Sequence, residues 1–274
     1  MKKLILVNPQ WQGGEDLVTY WGAKEIEKFY LHNFPYMEVL VAQTRNGLVR
    51  EKNIIGYRVI QSQMYETLRI LRIKKPETIF TIGGGCDADI PTVAYLNEQL
   101  EGNLTILWFD AHADLNTPAE SSTALFYGMP VRFLLGCGDD DFSEIVKVPL
   151  TPKQIINIGG RDLDIPEKQF IADSGLCSIS AHSVITDYTT VLEAIQSSHH
   201  NNIYIHMDLD VFDPIAFSNT PLPVPDGLPI DIILKILMLL KSKTNIVGFG
   251  LYEYKPCGEK NTVVEQLIRY ALSL

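Results

Sequence analysis

The amino-acid sequence predicts an α/β protein built on a parallel β-sheet with helices on both sides. Eight short runs rich in β-branched and aromatic residues are spread along the 274 residues. Most of these runs are apolar almost throughout, a pattern typical of strands that are buried on both faces. Longer stretches with helical periodicity lie between them, and the alternation of strands with helices indicates a parallel sheet.

The eight predicted strands cover both halves of the chain. They are KLILVN (3–8), EVLVA (38–42), TIFTI (78–82), LTILWF (104–109), QIINI (154–158), LCSIS (176–180), IYIHM (203–207) and IVGFGL (246–251). The helical patterns include TVAYLNEQLEG (92–102), YTTVLEAIQSSHH (188–200) and IDIILKILMLLKSK (230–243). No repeat, low-complexity tract or Ser/Gly linker divides them, so we expect a single domain over residues 1–274.

Composition narrows the classes of function. The formal net charge of -10 argues against a nucleic acid or an anionic membrane as a partner. The first residues, MKKLILVNPQWQGG, contain an apolar run too short for a signal peptide. No stretch reaches the roughly 18 apolar residues of a membrane span. The four cysteines are widely spaced and form no CxxC pair, so we expect free thiols in a cytoplasmic protein.

Polar residues follow five of the eight predicted strands. The segments are GGGCDAD after TIFTI, DAHADLNTP after LTILWF, GGRDLDIPE after QIINI, DLDVFDP after IYIHM and YEYKP after IVGFGL. In open parallel sheets, ligands bind at the carboxyl ends of the strands, where the strand order reverses. We therefore place the candidate site at this edge of the sheet.

Two of these segments predict a metal site. Asp110, His112 and Asp114 occupy alternate positions in DAHAD, and Asp208 and Asp210 repeat that spacing. If the strands continue, the side chains of each set point to one side. Four carboxylates that are partly buried together repel one another, and divalent cations remove that cost. The set suits two ions about 3.5–4 Å apart, and oxygen-rich ligation favours Mn²⁺, although ligand type alone does not fix the ion.

Structural interpretations of these aspartates compete with the metal site. A single DxD is more often a turn, a helix cap or solvated surface. The DAHAD and DLD segments together, each directly after an apolar strand, favour the metal site over that alternative. Asp213 precedes a proline, so we expect it to close a turn and at most to support the ligands.

At this point the chain resembles the ureohydrolases, which include arginase, agmatinase and formiminoglutamase. The matching segments are IGGGC (82–86), FDAHADLNTP (109–118), YGMPV (127–131), GGRDLD (159–164), HMDLDVFDP (206–214) and LYEYKP (251–256). The resemblance implies a three-layer α/β/α sandwich with an eight-stranded parallel sheet. It also implies a small guanidino compound as substrate and, since members of the family often form trimers or hexamers, a homo-oligomer.

The resemblance further implies a dinuclear manganese site. Asp110 and Asp208 would bridge the two ions. His112 and Asp210 would complete the shell of one ion, and Asp114 would belong to the other.

The last ligand in the family is a histidine in the motif GGDHS, and Cys86 stands in its place. We expect Cys86 to be a metal ligand or to lie beside one, since a thiolate forms readily next to cations. The alternative is a small buried thiol. Thiolate suits Mn²⁺ less well than imidazole, so this site would be weak or would hold Zn²⁺ or Fe²⁺. Some relatives with cysteine here resemble hydroxyarginine hydrolases, which keeps an arginine derivative open as the substrate.

Other positions resemble the substrate-binding residues of arginases. Asn116, Ser121 and Thr123 fall where arginases bind the α-carboxylate, and Asp164 falls where they bind the α-amino group. Glu253 matches the glutamate that positions the guanidinium, where a carboxylate makes a charge-assisted contact with a planar cation. The structural alternatives are a polar loop over residues 116–123 and a surface charge at Glu253.

Two positions depart from arginases. Leu125 stands where they have a polar residue, and Tyr127 stands where they have a histidine thought to shuttle protons. Tyrosine titrates near pKa ~10, so Tyr127 would donate a hydrogen bond but shuttle protons poorly at neutral pH. Asp162 and Glu167 would support the amino-group end or the loop.

The reaction that the resemblance implies is metal-assisted hydrolysis of a guanidinium C–N bond in arginine or a derivative such as hydroxyarginine. Glu253 would hold the guanidinium, and Asp114 would pass a proton from the nucleophile to the leaving amine. Tyr127 or solvent would deliver the last proton. Two alternatives stay open: an agmatinase- or formiminoglutamase-type activity, and a weakly active or non-catalytic ligand-sensing relative that lost one metal through Cys86.

Overall fold

The computed structural model of the protein describes residues 2–274. Its strands are β1 (Lys3–Asn8), β2 (Met37–Glu38), β3 (Arg50–Glu51), β4 (Ile54–Ile55), β5 (Thr78–Gly83), β6 (Leu104–Phe109), β7 (Ile155–Ile158), β8 (Cys177–Ile179), β9 (Asn202–Asp208) and β10 (Asn245–Tyr252). Its α-helices are α1 (Leu17–Tyr30), α2 (Tyr57–Lys74), α3 (Ile90–Gln99), α4 (Pro130–Arg132), α5 (Ile165–Ser174), α6 (Ala181–Thr186), α7 (Thr190–Ser198), α8 (Ile230–Lys243) and α9 (Thr262–Leu272).

Eight of the strands form one parallel sheet in the order β2-β1-β5-β10-β9-β6-β7-β8, whereas β3 and β4 pair as a small antiparallel ribbon. Each of the eight predicted runs contributes one strand of this sheet. The prediction of an eight-stranded parallel sheet is therefore confirmed.

The second predicted strand is much shorter than its apolar run. Only Met37 and Glu38 pair with β1, and Leu40 is 86% exposed. The strand lies at the edge of the sheet, so only one neighbour holds it, and the chain leaves the sheet once that pairing ends.

Helices cover both faces of the sheet. Successive residues of β1 belong to different hydrophobic clusters, with Leu4 and Leu6 in one and Ile5 and Val7 in the other. Because side chains alternate along a strand, the two clusters lie on opposite faces. Residues of α2 and α3 belong to the first cluster, and residues of α1, α7, α8 and α9 belong to the second. This confirms the predicted three-layer α/β/α arrangement.

Two further sequence expectations concern the described residues as a whole. All four cysteines are free. No helix within residues 2–274 has the length and apolar character needed to cross a membrane.

Candidate metal centre and substrate pocket

The five strands followed by polar segments are contiguous in the sheet, in the order β5-β10-β9-β6-β7. Their carboxyl ends therefore meet at one edge. A short 3₁₀ turn, Cys86–Asp89, follows β5 and buries Cys86, Asp87 and Asp89 there. The predicted site thus forms at the centre of the sheet, where neighbouring strands support it on both sides.

The aspartates after β6 and β9 are held by their own loops. Asp110 Oδ1 accepts a hydrogen bond from the His112 backbone N–H at 2.7 Å, and Asp208 Oδ1 accepts one from Asp210 at 2.8 Å. Asp210 Oδ1 accepts a bond from the Ala111 backbone N–H at 2.9 Å, which ties the two loops together. These contacts fix the carboxylates before any cation binds.

His112 lies between two of these carboxylates. Its Nδ1 is 3.0 Å from Asp210 Oδ2 and 3.3 Å from Asp110 Oδ1, and the three side chains form one group able to hold a metal ion. Burial lowers the pKa of His112, but the two carboxylates outweigh burial and raise its pKa well above the usual value. Burial raises the pKa of Asp110, but His112 outweighs it, so the net shift is downward. The two carboxylates thus hold His112 between them, with ligand-type atoms of all three side chains close together.

Cys86 belongs to a second group of ligand atoms. Its Sγ lies 2.9 Å from Asp208 Oδ2, and a sulfur, an Asp208 oxygen and a Glu253 oxygen all lie within 4.8 Å of one another. Burial, followed by the charge of Asp208, raises the pKa of the Cys86 thiol well above its usual value. Without a cation, Cys86 is therefore a thiol that donates to Asp208.

The remaining carboxylates of the cluster are buried close to one another, which disfavours their charged forms. Burial, reinforced by neighbouring carboxylates, raises the pKa of Asp114, Asp208 and Glu253 well above the usual range. The same causes raise the pKa of Asp210 to about 6. Asp114 Oδ2 is buried and has no hydrogen-bond partner. Acceptors this crowded and desolvated fit divalent cations, because cations remove the repulsion and satisfy the free oxygens.

This crowding predicts how metal changes stability with pH. Folding raises the pKa of Asp210 from 3.8 to about 6, so the folded chain favours the protonated carboxyl. The resulting stabilisation is fully present below pH 3.8 and is lost as the pH rises through 6. That displacement corresponds to about 3 kcal/mol. We expect the free energy of unfolding of metal-stripped protein to fall between pH 4 and 7, and urea denaturation at several pH values measures it. Protein loaded with Mn²⁺ or Zn²⁺ should show little of this fall, and equal pH dependence with and without metal would contradict the interpretation.

A cavity of about 140 Å³ lies beside the carboxylate cluster. The predicted head-group residues Asn116, Ser121, Thr123 and Asp164 all line it. A smaller cavity of about 10 Å³ lies deeper, next to Cys86, Asp208 and Glu253. The two cavities share three lining residues, which are His112, Asp114 and Tyr127. The two cavities are therefore adjacent. We call the first, with its polar lining, the outer end of the pocket, and the second, which Glu253 lines with other carboxylates, its inner end.

The outer end offers hydrogen-bond donors and acceptors. Asn116 Nδ2 donates to Asp164 Oδ2 at 2.9 Å, while Asn116 Oδ1 is buried without a partner. The hydroxyl of Ser121 accepts from the Ala124 backbone N–H, and that of Thr123 accepts from Leu125. The two hydroxyls lie 3.4 Å apart, so one can donate to the other while the second keeps its hydrogen for a ligand.

Glu167 connects the two loops of this outer end. Its carboxylate accepts hydrogen bonds from the backbone N–H groups of Leu115 at 2.9 Å and Asp164 at 2.8 Å. Glu167 and Asp164 also form a capping box at the start of α5. Asp162 is exposed, and its Oδ2 lies 3.8 Å from His112 Nε2. Asp213 instead accepts from backbone N–H groups of its own loop and of Gly227, as a turn-closing residue does.

Tyr127 lies between the two cavities. Burial, followed by the charge of Glu253, raises its pKa to about 12. Tyr127 therefore keeps its proton at neutral pH and can donate a hydrogen bond to a ligand. Leu125, the other position that departs from arginases, lines the outer cavity with its apolar side chain.

Asp114 and Glu253 have an unusual backbone conformation. Their φ angles are 54° and 57°, in the left-handed region that non-glycine residues rarely adopt. Such a conformation costs about 1–3 kcal/mol and persists only where the surrounding structure imposes it. The strain falls on two residues whose carboxylates line the inner end of the pocket.

Sequence reasoning missed His206 and Asp89. The structure places His206 Nε2 3.3 Å from Cys86 Sγ and its Nδ1 2.8 Å from Asp89 Oδ2. A signal for His206 was present, because it precedes Asp208 by two residues and so shares its face of β9. Asp89 gave no such signal, since its position depends on the turn after β5.

Comparisons with known proteins agree with this architecture. The sequence model of the arginase family matches residues 27–272. Arginase from Staphylococcus aureus (strain MRSA252) is 30% identical over 185 residues, which cover 66% of this chain and 61% of that protein. The match thus spans less than two thirds of that relative.

Two solved structures show the same fold. Arginase from Entamoeba histolytica, crystallised in complex with L-ornithine, superposes with a TM-score of 0.86 at 23% identity, covering 98% of this chain and 96% of that chain. Formimidoylglutamase from Bacillus subtilis subsp. subtilis str. 168 superposes with a TM-score of 0.76 at 16% identity, covering 99% and 85%.

Proposed function

The chain belongs to the arginase family, and from this premise we propose that it hydrolyses a guanidinium C–N bond of arginine or of a derivative such as hydroxyarginine. The products would be ornithine and urea, or a substituted urea. The observation that carries this proposal is the pair of adjacent cavities, one lined by the candidate head-group residues and the other by a cluster of candidate metal-ligand side chains. In this proposal the chain forms a single domain and acts in the cytoplasm as a homo-oligomer.

The proposed metal ligands come from the ends of neighbouring strands. Asp110 and Asp208 follow or end the paired strands β6 and β9 and, as the family resemblance implies, they would hold both ions. The other ligands would divide between the two ions, with His112 and Asp210 for one ion and Asp114 and Cys86 for the other. Mn²⁺ suits the position whose ligands are mostly oxygens, while the Cys86 thiolate favours Zn²⁺ or Fe²⁺ at the position that it would occupy as a ligand.

The protein side chains then act on the substrate and its protons. Two bound divalent cations would lower the pKa of a water molecule between them toward neutrality. Glu253 holds the guanidinium by a charge-assisted contact and presents its carbon to the nucleophile. Asp114 accepts a hydrogen bond from the nucleophile and passes the proton to the leaving amine. Tyr127 donates a hydrogen bond, and solvent or Tyr127 supplies the last proton.

The outer end of the pocket predicts a preference for an amino-acid head group. Agmatine has no α-carboxylate, so Asn116, Ser121 and Thr123 would lose their partner, whereas Asp164 could still contact the amine. Asn116 is buried, and leaving a buried polar group unpaired costs about 1–3 kcal/mol. We expect kcat/KM for agmatine to be at least about tenfold below that for arginine or hydroxyarginine. Release of the amine product from each of these compounds, and of glutamate from formiminoglutamate, with Mn²⁺ added, measures the ranking.

A variant separates this preference from other causes. Asn116→Ala should lower kcat/KM for arginine and leave kcat/KM for agmatine almost unchanged, so the difference between the two substrates becomes smaller. Hydrolysis of agmatine at least as fast as of arginine by the wild-type chain would refute the assignment of the outer end.

One observation favours a second candidate function. Without a cation, the Cys86 thiol donates a hydrogen bond to Asp208. A metal ion can therefore bind Cys86 only when the thiol loses its proton. A chain with one empty metal position would bind guanidino compounds without hydrolysing them quickly. Metal content per chain, measured with urea release on the same samples, distinguishes this ligand-sensing relative from the enzyme.

A further inference from the structure

His206 has a fixed orientation inside the sheet. It lies on β9 and is fully buried between two aromatic rings. The Trp108 ring stacks on one face with centroids 3.4 Å apart, and the Tyr252 ring stacks on the other at 4.5 Å. The position opposite His206 on β10 is Gly250, where a Cβ would come within 2.4 Å of the Tyr252 ring. The two stacked rings thus hold the plane of the imidazole.

The partners of His206 define the state of its two nitrogens. Asp89 accepts from Nδ1 with one carboxylate oxygen, at 2.8 Å, and from the Tyr204 hydroxyl with the other. With the hydrogen on Nδ1, the lone pair of Nε2 points toward Cys86 Sγ, 3.3 Å away. A histidine that binds metal through one nitrogen commonly donates its other N–H to a carboxylate in this way.

The ligand atoms around Nε2 are spaced as one metal shell requires. Cys86 Sγ, an Asp110 oxygen and a His206 nitrogen all lie within 4.8 Å of one another. A separation of 3.3 Å between Sγ and Nε2 suits neighbouring ligands of one ion whose bonds are about 2.0–2.3 Å long. Asp110 is held in place by the Trp108 indole, which donates to its Oδ2 at 3.1 Å.

We propose that His206 is a ligand of the cation held by Cys86, with Asp89 fixing its tautomer. The imidazole that the Gly-rich turn lacks is thus supplied from β9. A shell of thiolate, imidazole and carboxylate favours Zn²⁺, Fe²⁺ or Co²⁺ over Mn²⁺. This inference rests on the proposed metal centre and assigns a residue and a metal preference to one of its ions.

Cobalt binding to the full chain tests the proposal. Metal-stripped wild type, His206→Gln and Asp89→Asn are titrated with Co²⁺ by calorimetry, and sulfur-to-cobalt charge-transfer absorption reports the ion at Cys86. We expect Asp89→Asn to lower the affinity for the cobalt ion at Cys86 by about 10–100-fold, because a ligand loses the carboxylate that orients it. We expect His206→Gln to lower this affinity at least as much. The ion at His112 and Asp210 should still bind in both variants, which shows that they are folded. His200→Gln, a histidine replacement outside the site, should match wild type.

Unchanged cobalt affinity and an unchanged charge-transfer band in His206→Gln would overturn the proposal. If His206→Gln fails to fold, Asp89→Asn decides, and wild-type cobalt binding in that variant would overturn it. The outcome is separable from the proposed function. A His206-dependent band in a chain that releases no urea would refute the hydrolase activity alone, whereas an unchanged band in an active chain would refute only the role of His206.

Discussion

Replacing Asp208 with alanine is expected to remove both metal ions and to abolish hydrolysis. Asp208 ends β9, contacts Cys86 Sγ and, in our proposal, bridges the two ions. Its Oδ1 also holds the Asp210 backbone, so the variant disturbs a second ligand. We expect kcat to fall by more than the roughly 10²–10³-fold that a single charge-stabilising group contributes. Mass spectrometry of metal content, together with urea release, measures both effects.

Asp213→Ala is the matched control for this experiment. Asp213 lies in the same segment after β9, but its carboxylate accepts only from backbone N–H groups. This variant should keep both ions even if its loop becomes less stable. Two tightly bound ions per chain in Asp208→Ala would show that Asp208 does not bridge the centre.

Glu253→Gln is expected to lower kcat/KM by about 10²–10³-fold while both ions stay bound. Glutamine has the shape of glutamate but lacks its charge, so it cannot form the charge-assisted contact with a guanidinium. In our proposal Asp110 and Asp208 hold both ions, so the variant should keep them. Metal content and steady-state kinetics on the same preparation measure the two quantities separately.

The metal content of this variant also tests the role assigned to Glu253. Its carboxylate lies in one ligand-type group with Cys86 and Asp208, so the geometry allows it to touch a cation. Metal loss as complete as in Asp208→Ala would make Glu253 a ligand and the substrate assignment wrong. Glu259→Gln, an exposed glutamate six residues further on, should change neither quantity.

Much of the fold was predictable because central parallel strands have a simple pattern. Strands such as TIFTI and LTILWF are buried on both faces, so their residues are apolar throughout and mark the sheet in the sequence. The edge strand was predicted less well, because the apolar run EVLVA continues after its pairing with β1 has ended. The carboxyl ends of parallel strands share one edge, so the polar segments after them indicated where the site lies.

The sequence by itself determined which ligand-type residues follow each strand and in what order. The expectation that strand alternation puts them on one face was wrong, because β6 ends at Phe109 and β9 at Asp208, and the residues beyond them lie in turns. Only the tertiary structure decided which segments meet. The strand order places β5, β10, β9, β6 and β7 side by side, and it brings His206 to Cys86 and Asp89 from more than a hundred residues away. The left-handed backbone of Asp114 and Glu253 was likewise not predicted from the sequence. Contacts and strain of this kind depend on the packing of distant segments, and no local pattern of residues encodes that packing.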